Sequence, residues 1–165
     1  MKIARLLKHL LIPDWVARRA FPTSSLSKIE KAIRASERKH DGELRFVIEA
    51  GLPFRYLLRR KSSRTRAEDL FASLKIWDTE HNSGVLIYVQ LVSRHIDIVA
   101  DRGISRHLAQ AEWDAVCAAM EKAFRSGRYE EGALEAIERC TALLARHFPS
   151  SGEHRNELPD RPLFL

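Results

Sequence analysis

The chain has 165 residues, 45% hydrophobic and 30% charged, which fits one globular domain with a real core and excludes a disordered or fibrous protein. Its net charge of +6 is uneven: residues 1–66 hold 17 Lys/Arg against 6 Asp/Glu, and residues 67–165 hold 11 against 16. No 18-residue apolar run free of charge occurs, and the two cysteines, Cys117 and Cys140, lack any metal-ligand spacing, so neither a membrane span nor a zinc site is expected.

Taken in order, residues 1–22 read as an N-terminal amphipathic segment. Ile3, Leu6, Leu7 and Leu10 lie at helical spacing opposite Lys2, Arg5 and Lys8, and Pro13 ends the helix. Docking on the domain is preferred over an anionic bilayer, because ten residues offer little apolar area. A second helix is expected from about Thr23 to Lys39, capped by Thr23 or a following serine, with Leu26, Ile29, Ala32 and Ile33 facing inward. His40-Asp41-Gly42 breaks it. Glu43–Ala50 then alternates as a strand, with only Val47 spoiling the polar face, which implies cover on both sides for part of its length.

Arg55–Arg66 holds six basic residues beside Phe54, Tyr56, Leu57 and Leu58. Aromatics beside arginines suit nucleic acid, but no recognised nucleic-acid motif surrounds the run, and a solvated loop or loosely packed helix is the preferred reading. Thr65-Arg66-Ala67-Glu68 reads as a capping box that starts a helix ending near Lys75. After the polar loop Trp77–Gly84 come two apolar strands, about Val85–Val92 and His95–Ala100, reversed at Ser93-Arg94 and therefore antiparallel. Two helices follow. The first, about Gln110–Arg125, buries Trp113, Val116, Cys117, Met120 and Phe124; the second, about Tyr129–Phe148, buries Leu134, Ile137, Thr141, Leu144 and Phe148. Residues 149–165 form an extended tail whose apolar end is able to dock back. The fold class is α/β: a three-layer α/β/α sandwich, with a small mixed sheet, a central antiparallel hairpin and helices on both faces.

The strongest metal candidate is Asp78-x-Glu80-x-Asn82, joined by Asp101. Oxygen ligands at alternate positions before a glycine suit a hard cation such as Ca²⁺ or Mg²⁺. The plainer reading, a polar loop turned by Asn82 and Gly84, is preferred. No phosphate loop or nucleophilic triad is present, so no catalytic residue is named; His81, His95 and His107 lie near the hairpin ends in sequence, and Asp101-Arg102 reads as a turn-stabilising pair.

Four stretches in order carry a family resemblance: Gly42–Val47, Asn82–Val89, Arg94–Ile104 and Phe124–Gly132 with its F-x-x-G-x-Y-x-x-G spacing. Over about residues 23–148 the chain resembles the TPM domain family, most of all its short bacterial members without a transmembrane tail. The resemblance implies an α/β/α sandwich. It also implies the roles ascribed to different members: phosphatase activity, calcium binding, or service as a membrane-associated accessory protein. The chain departs from the usual pattern at two acids. Phe21-Pro22-Thr23 stands where an Asp precedes the first helix, and Asp101-Arg102-Gly103-Ile104-Ser105 replaces G-x-G-hydrophobic-E. The expectation is a noncatalytic binding or accessory module for a protein or membrane-associated partner, cytoplasmic or peripheral to the inner membrane. The alternative is a Ca/Mg-dependent phosphatase-like hydrolase. A nucleic-acid partner is not expected.

Overall fold

The structure, a computed structural model, describes residues 14–152 and 156–165. The helix expected over residues 2–11 lies outside the described residues. The elements in order are α1 (Asp14–Ala20), α2 (Thr23–Ser36), β1 (Glu43–Glu49), α3 (Phe54–Leu58), α4 (Ser63–Ser73), β2 (Gly84–Gln90), β3 (His95–Ala100), α5 (Arg102–Ser105), α6 (Gln110–Arg125), α7 (Tyr129–His147) and β4 (Leu163–Phe164). The sheet runs β3-β2-β1-β4. The β2–β3 pair is the expected antiparallel hairpin, while β1–β2 and β1–β4 are parallel, so the sheet is mixed.

Side chains alternate across each strand, and the alternation sorts the sheet into two unlike faces. Leu44, Phe46 and Ile48 of β1, Val85, Ile87 and Val89 of β2, and Ile96 and Ile98 of β3 form one apolar face. They share a core with Ile29 and Ile33 of α2, Trp113, Val116 and Met120 of α6, and Ile137 and Leu144 of α7. Phe21, just before α2, closes this core edge-on against Phe46 and Phe124, at ring separations of 6.4 and 5.8 Å. On the opposite face Val47, Leu86, Tyr88 and Val99 meet Ala67 and Leu70 of α4, Ile76 and Leu158. Interleaved with them are the buried or nearly buried polar side chains of Arg45, Glu49, Gln90 and Asp97. Every residue of β1 and β2 is buried, which is the double cover that Val47 signalled.

Several local expectations are corrected. α4 begins at Ser63 rather than after Thr65, because the Ser62 hydroxyl accepts the Thr65 N–H at 3.1 Å; Glu68 instead pairs with Arg64. α2 follows Pro22 with no side-chain cap and stops at Ser36, three residues early. It stops where a buried polar chain takes over: His40 Nε2 meets Ser36 Oγ at 2.7 Å, and Ser36 Oγ meets Thr141 Oγ1 at 2.6 Å. In α7, Leu134 and Phe148 are only partly buried, and the seam is built from Gly132, Ala133 and Ala136. A Cβ on Gly132 would come within 2.8 Å of the Ala123 Cβ, so small residues set how closely α6 and α7 approach.

The tail docks through more than its apolar end. Glu43, fully buried, accepts the N–H groups of Glu157 and Leu158, and Arg45 donates to the carbonyls of Pro159 and Arg161. Arg34 Nε donates to Asp160 at 2.8 Å. These bonds deliver Leu163–Phe164 to the free edge of β1 and cover what would otherwise be an open edge.

Candidate functional site

The hairpin brings its two flanking loops to one edge of the sheet, since the start of β2 pairs with the end of β3. The Asp101 N–H donates to the Gly84 carbonyl at 2.9 Å and the Gly103 N–H to the Asn82 carbonyl at 3.1 Å. The crossing is tight enough to demand glycine: a Cβ on Gly103 would lie 2.5 Å from the Asn82 carbonyl oxygen, and one on Gly84 would collide with the carbonyl of Ile76. Asn82 takes the left-handed conformation (φ 52°) at the corner, a backbone shape that asparagine tolerates.

Of the four expected metal-ligating residues, Asn82 and Asp101 come together through this crossing. Asp101 Oδ1 caps the short α5 by accepting the Arg102 N–H at 2.7 Å. Its Oδ2 is buried without a hydrogen-bond partner, in a residue 9% exposed. The Arg102 guanidinium does not pair with Asp101, contrary to expectation, but donates through Nε to Asn82 Oδ1 at 2.9 Å. Asp78 and Glu80 are exposed; the Glu80 N–H donates to Glu157, and no hydrogen bond or ion pair joins either carboxylate to the turn. Among the described residues no group of three or more His, Cys, Asp and Glu is arranged to hold a metal ion. As arranged, these residues do not fit one: the Arg102 guanidinium, itself a cation, occupies the Asn82 amide oxygen that would be a ligand, and of the described carboxylates only that of Asp101 lies beside it.

The histidines are dispersed. His81 is exposed in the loop, His107 packs against Phe148, and His95 pairs with Glu121 at 2.7 Å. Ser63 donates to Asp97 at 2.6 Å rather than to His95, so Ser63 and His95 form no nucleophile pair, and the Ser36–His40 contact is buried in the core, out of reach of a substrate. Burial pushes the Cys117 thiol up to about 12, and it stays protonated at neutral pH. Both cysteines are free.

The basic run of residues 55–66 resolves into two parts with different tasks. Arg66 turns inward and forks onto Glu49 at 2.6 Å, and Tyr88 donates its hydroxyl to the same carboxylate at 2.5 Å. Burial works against the Arg66 charge, but the bonds to Glu49 outweigh it and raise the guanidinium's pKa. Arg64 donates to the Ile98 carbonyl and pairs with Glu68. The other part is the tip around α3, which is seated by a small apolar cluster of Leu52, Tyr56 and Leu57. Outward from it project Phe54 and Leu58, 50% and 57% exposed and one helical turn apart. Arg55 lies over the Tyr56 ring at 5.2 Å and Lys61 pairs with Asp69 at 3.3 Å. Arg55, Arg59 and Arg60 have no carboxylate partner among the described residues. Pro53 at the helix start and the buried Tyr56-Leu57 pair were the available sequence signals for this helix.

The TPM domain family matches residues 18–143. Among solved structures, the chain is similar to the NMR structure of the BA42 protein from the psychrophilic bacterium Bizionia argentinensis. Identity is 29% and the TM-score 0.76, covering 86% of this chain and 93% of the other. It is also similar to the N-terminal domain of a P. gingivalis protein, at 16% identity and a TM-score of 0.65, covering 84% and 83%, a likeness of fold alone. No curated protein matches the sequence. Among the described residues no helix is long and apolar enough to cross a membrane. With the family match spanning most of the chain, the chain belongs to the TPM domain family.

Proposed function

We propose that the chain is a noncatalytic binding or accessory module, and that its partner, a protein or a membrane-associated assembly, is met by the tip around α3. One observation carries this reading: Arg55, Arg59 and Arg60, with no carboxylate partner among the described residues, stand beside the exposed Phe54 and Leu58. Unneutralised arginines beside apolar side chains make a surface that favours an anionic partner and gains from covering hydrophobic area. The test is retention on immobilised heparin, comparing wild type with Arg55→Glu/Arg59→Glu/Arg60→Glu. The wild type elutes at raised salt and the variant in the flow-through, with unchanged circular dichroism; equal elution overturns the reading. Turnover of a phosphomonoester panel with Ca²⁺, Mg²⁺ or Mn²⁺ would overturn its noncatalytic part.

The partnerless Asp101 Oδ2 favours a second reading, in which Asp101 and Asn82, with Asp78 or Glu80 swung in, take Ca²⁺ or Mg²⁺ once Arg102 leaves Asn82. The phosphatase-like alternative depends on that cation. Calorimetric titration decides it: heat of binding that is lost in Asp101→Asn and strengthened in Arg102→Ala supports it, and no heat in either the wild type or Arg102→Ala removes it.

A further inference from the structure

We infer that the α3 tip is a contact site for anionic phospholipid, with Phe54 and Leu58 entering the bilayer interface while the arginines around them take the headgroup phosphates. The inference rests on the reading that α3 is the binding surface and names its partner. Between Arg55, Tyr56, Arg59, Lys61 and Asp69 lies an open hollow of about 320 Å³. Three cations and one carboxylate line it, so it carries a net positive charge suited to a phosphodiester. The Tyr56 hydroxyl and then Lys61 hold the Asp69 carboxyl below its ordinary range, so that carboxylate is committed to its own partners. Arg60 follows in the left-handed conformation (φ 50°), where the chain turns away from the tip.

Two features favour lipid over a nucleic acid. Binding of single strands relies on aromatic faces free to stack on bases. The Tyr56 ring is not free: it is buried, with Arg55, Lys61 and Arg66 all within 5.2 Å of its centre. Of the exposed pair only Phe54 offers a ring to a base and Leu58 has no use against a polyanion, whereas at a bilayer both supply the insertion that a purely electrostatic contact lacks. Paired apolar and basic contributions are what reversible attachment to an anionic leaflet requires.

Flotation of the full chain with phosphatidylcholine vesicles, with and without phosphatidylglycerol, tests this. The wild type floats with the anionic vesicles only. Arg59→Glu/Arg60→Glu and Phe54→Ser/Leu58→Ser each lower the bound fraction about tenfold, and all four side chains are exposed, so the fold is kept. The discriminating result is that Phe54→Ser/Leu58→Ser loses vesicles yet keeps its heparin retention. If wild-type protein stays on heparin but floats with no vesicle, or if a single-stranded oligonucleotide binds and both doubles float like wild type, the lipid assignment is overturned while the α3 reading survives. Loss of both heparin and vesicle binding in the wild type overturns both.

Discussion

The two faces of the sheet are built on opposite principles. Under α2, α6 and α7 the contacts are wholly apolar along the strands, from Leu44, Phe46 and Ile48 through Val85, Ile87 and Val89 to Ile96 and Ile98. Under α3, α4 and the tail the same strands present Arg45, Glu49, Tyr88 and Asp97, each tied to a named partner: the Pro159 carbonyl, Arg66, Glu49 and Ser63. The first face gains stability from area removed from water, is non-directional and tolerates rearrangement. The second depends on pairing, so each side chain there is worth little alone and costs much when orphaned. The α3 tip is attached to the second face. Its seat is specified by the Tyr56–Asp69 and Arg66–Glu49 bonds rather than by a large core.

The largest effects separate the faces by rescue rather than by size. Phe46→Ala, which empties a fully buried ring site, is expected to cost about 3–5 kcal/mol in urea unfolding, and no second truncation restores it. Arg66→Met, which leaves the buried Glu49 carboxylate with no counter-charge, is expected to cost about 3–5 kcal/mol. Adding Glu49→Leu together with Tyr88→Phe, so that the buried Tyr88 hydroxyl is not orphaned, should recover most of that loss. A triple variant as unstable as the single would mean that the ion pair is not the organising contact of this face.

A smaller, pH-dependent effect comes from Glu37, which sits beneath the start of β1 and accepts the Leu44 N–H at 3.1 Å. Burial, and after it the neighbouring Glu43, push its carboxyl up to about 9 from an ordinary value of 4.5. Between those values the folded chain keeps a proton that the unfolded chain releases. Its contribution is therefore intact below about pH 4.5, falls as pH rises, and levels off above about pH 9. The slope is at most about 1.4 kcal/mol per pH unit. Glu37→Gln should remove this slope, so the stability difference between variant and wild type grows from neutral to alkaline pH. A difference constant across that range would show that Glu37 is ionised in the folded chain.

The apolar face was legible because alternation and helical periodicity each report burial directly; Trp113, Val116, Met120 and Phe124 fall where their spacing puts them. The polar face was less so. Glu43, Arg45 and Glu49 read only as a polar face, with Val47 alone marking cover, and nothing local announces that Arg66, seventeen residues on, will cover Glu49. The basic run 55–66 likewise looked uniform in sequence, although the fold commits Arg64 and Arg66 internally and leaves Arg59 and Arg60 outside. At the hairpin edge the convergence of Asn82 and Asp101 follows from strand pairing, but the Arg102–Asn82 bond depends on the α5 turn, which at four residues is too short to show a helical period.

The smallest effect tests how far α4 depends on local signals. Over eleven residues it buries only Ser63, Ala67 and Leu70, so packing holds it less than it holds α6, and its first turn relies on Ser62 accepting the Thr65 N–H. Ser62→Ala is expected to cost about 1 kcal/mol, with amide exchange rising over 63–73 before it rises in α6. Thr23→Ala should cost almost nothing, because Thr23 lies inside α2 and no side chain caps that helix. Equal losses in the two variants would mean that packing, not capping, holds α4 in place. The polar face would then be stabilised in the same manner as the apolar one.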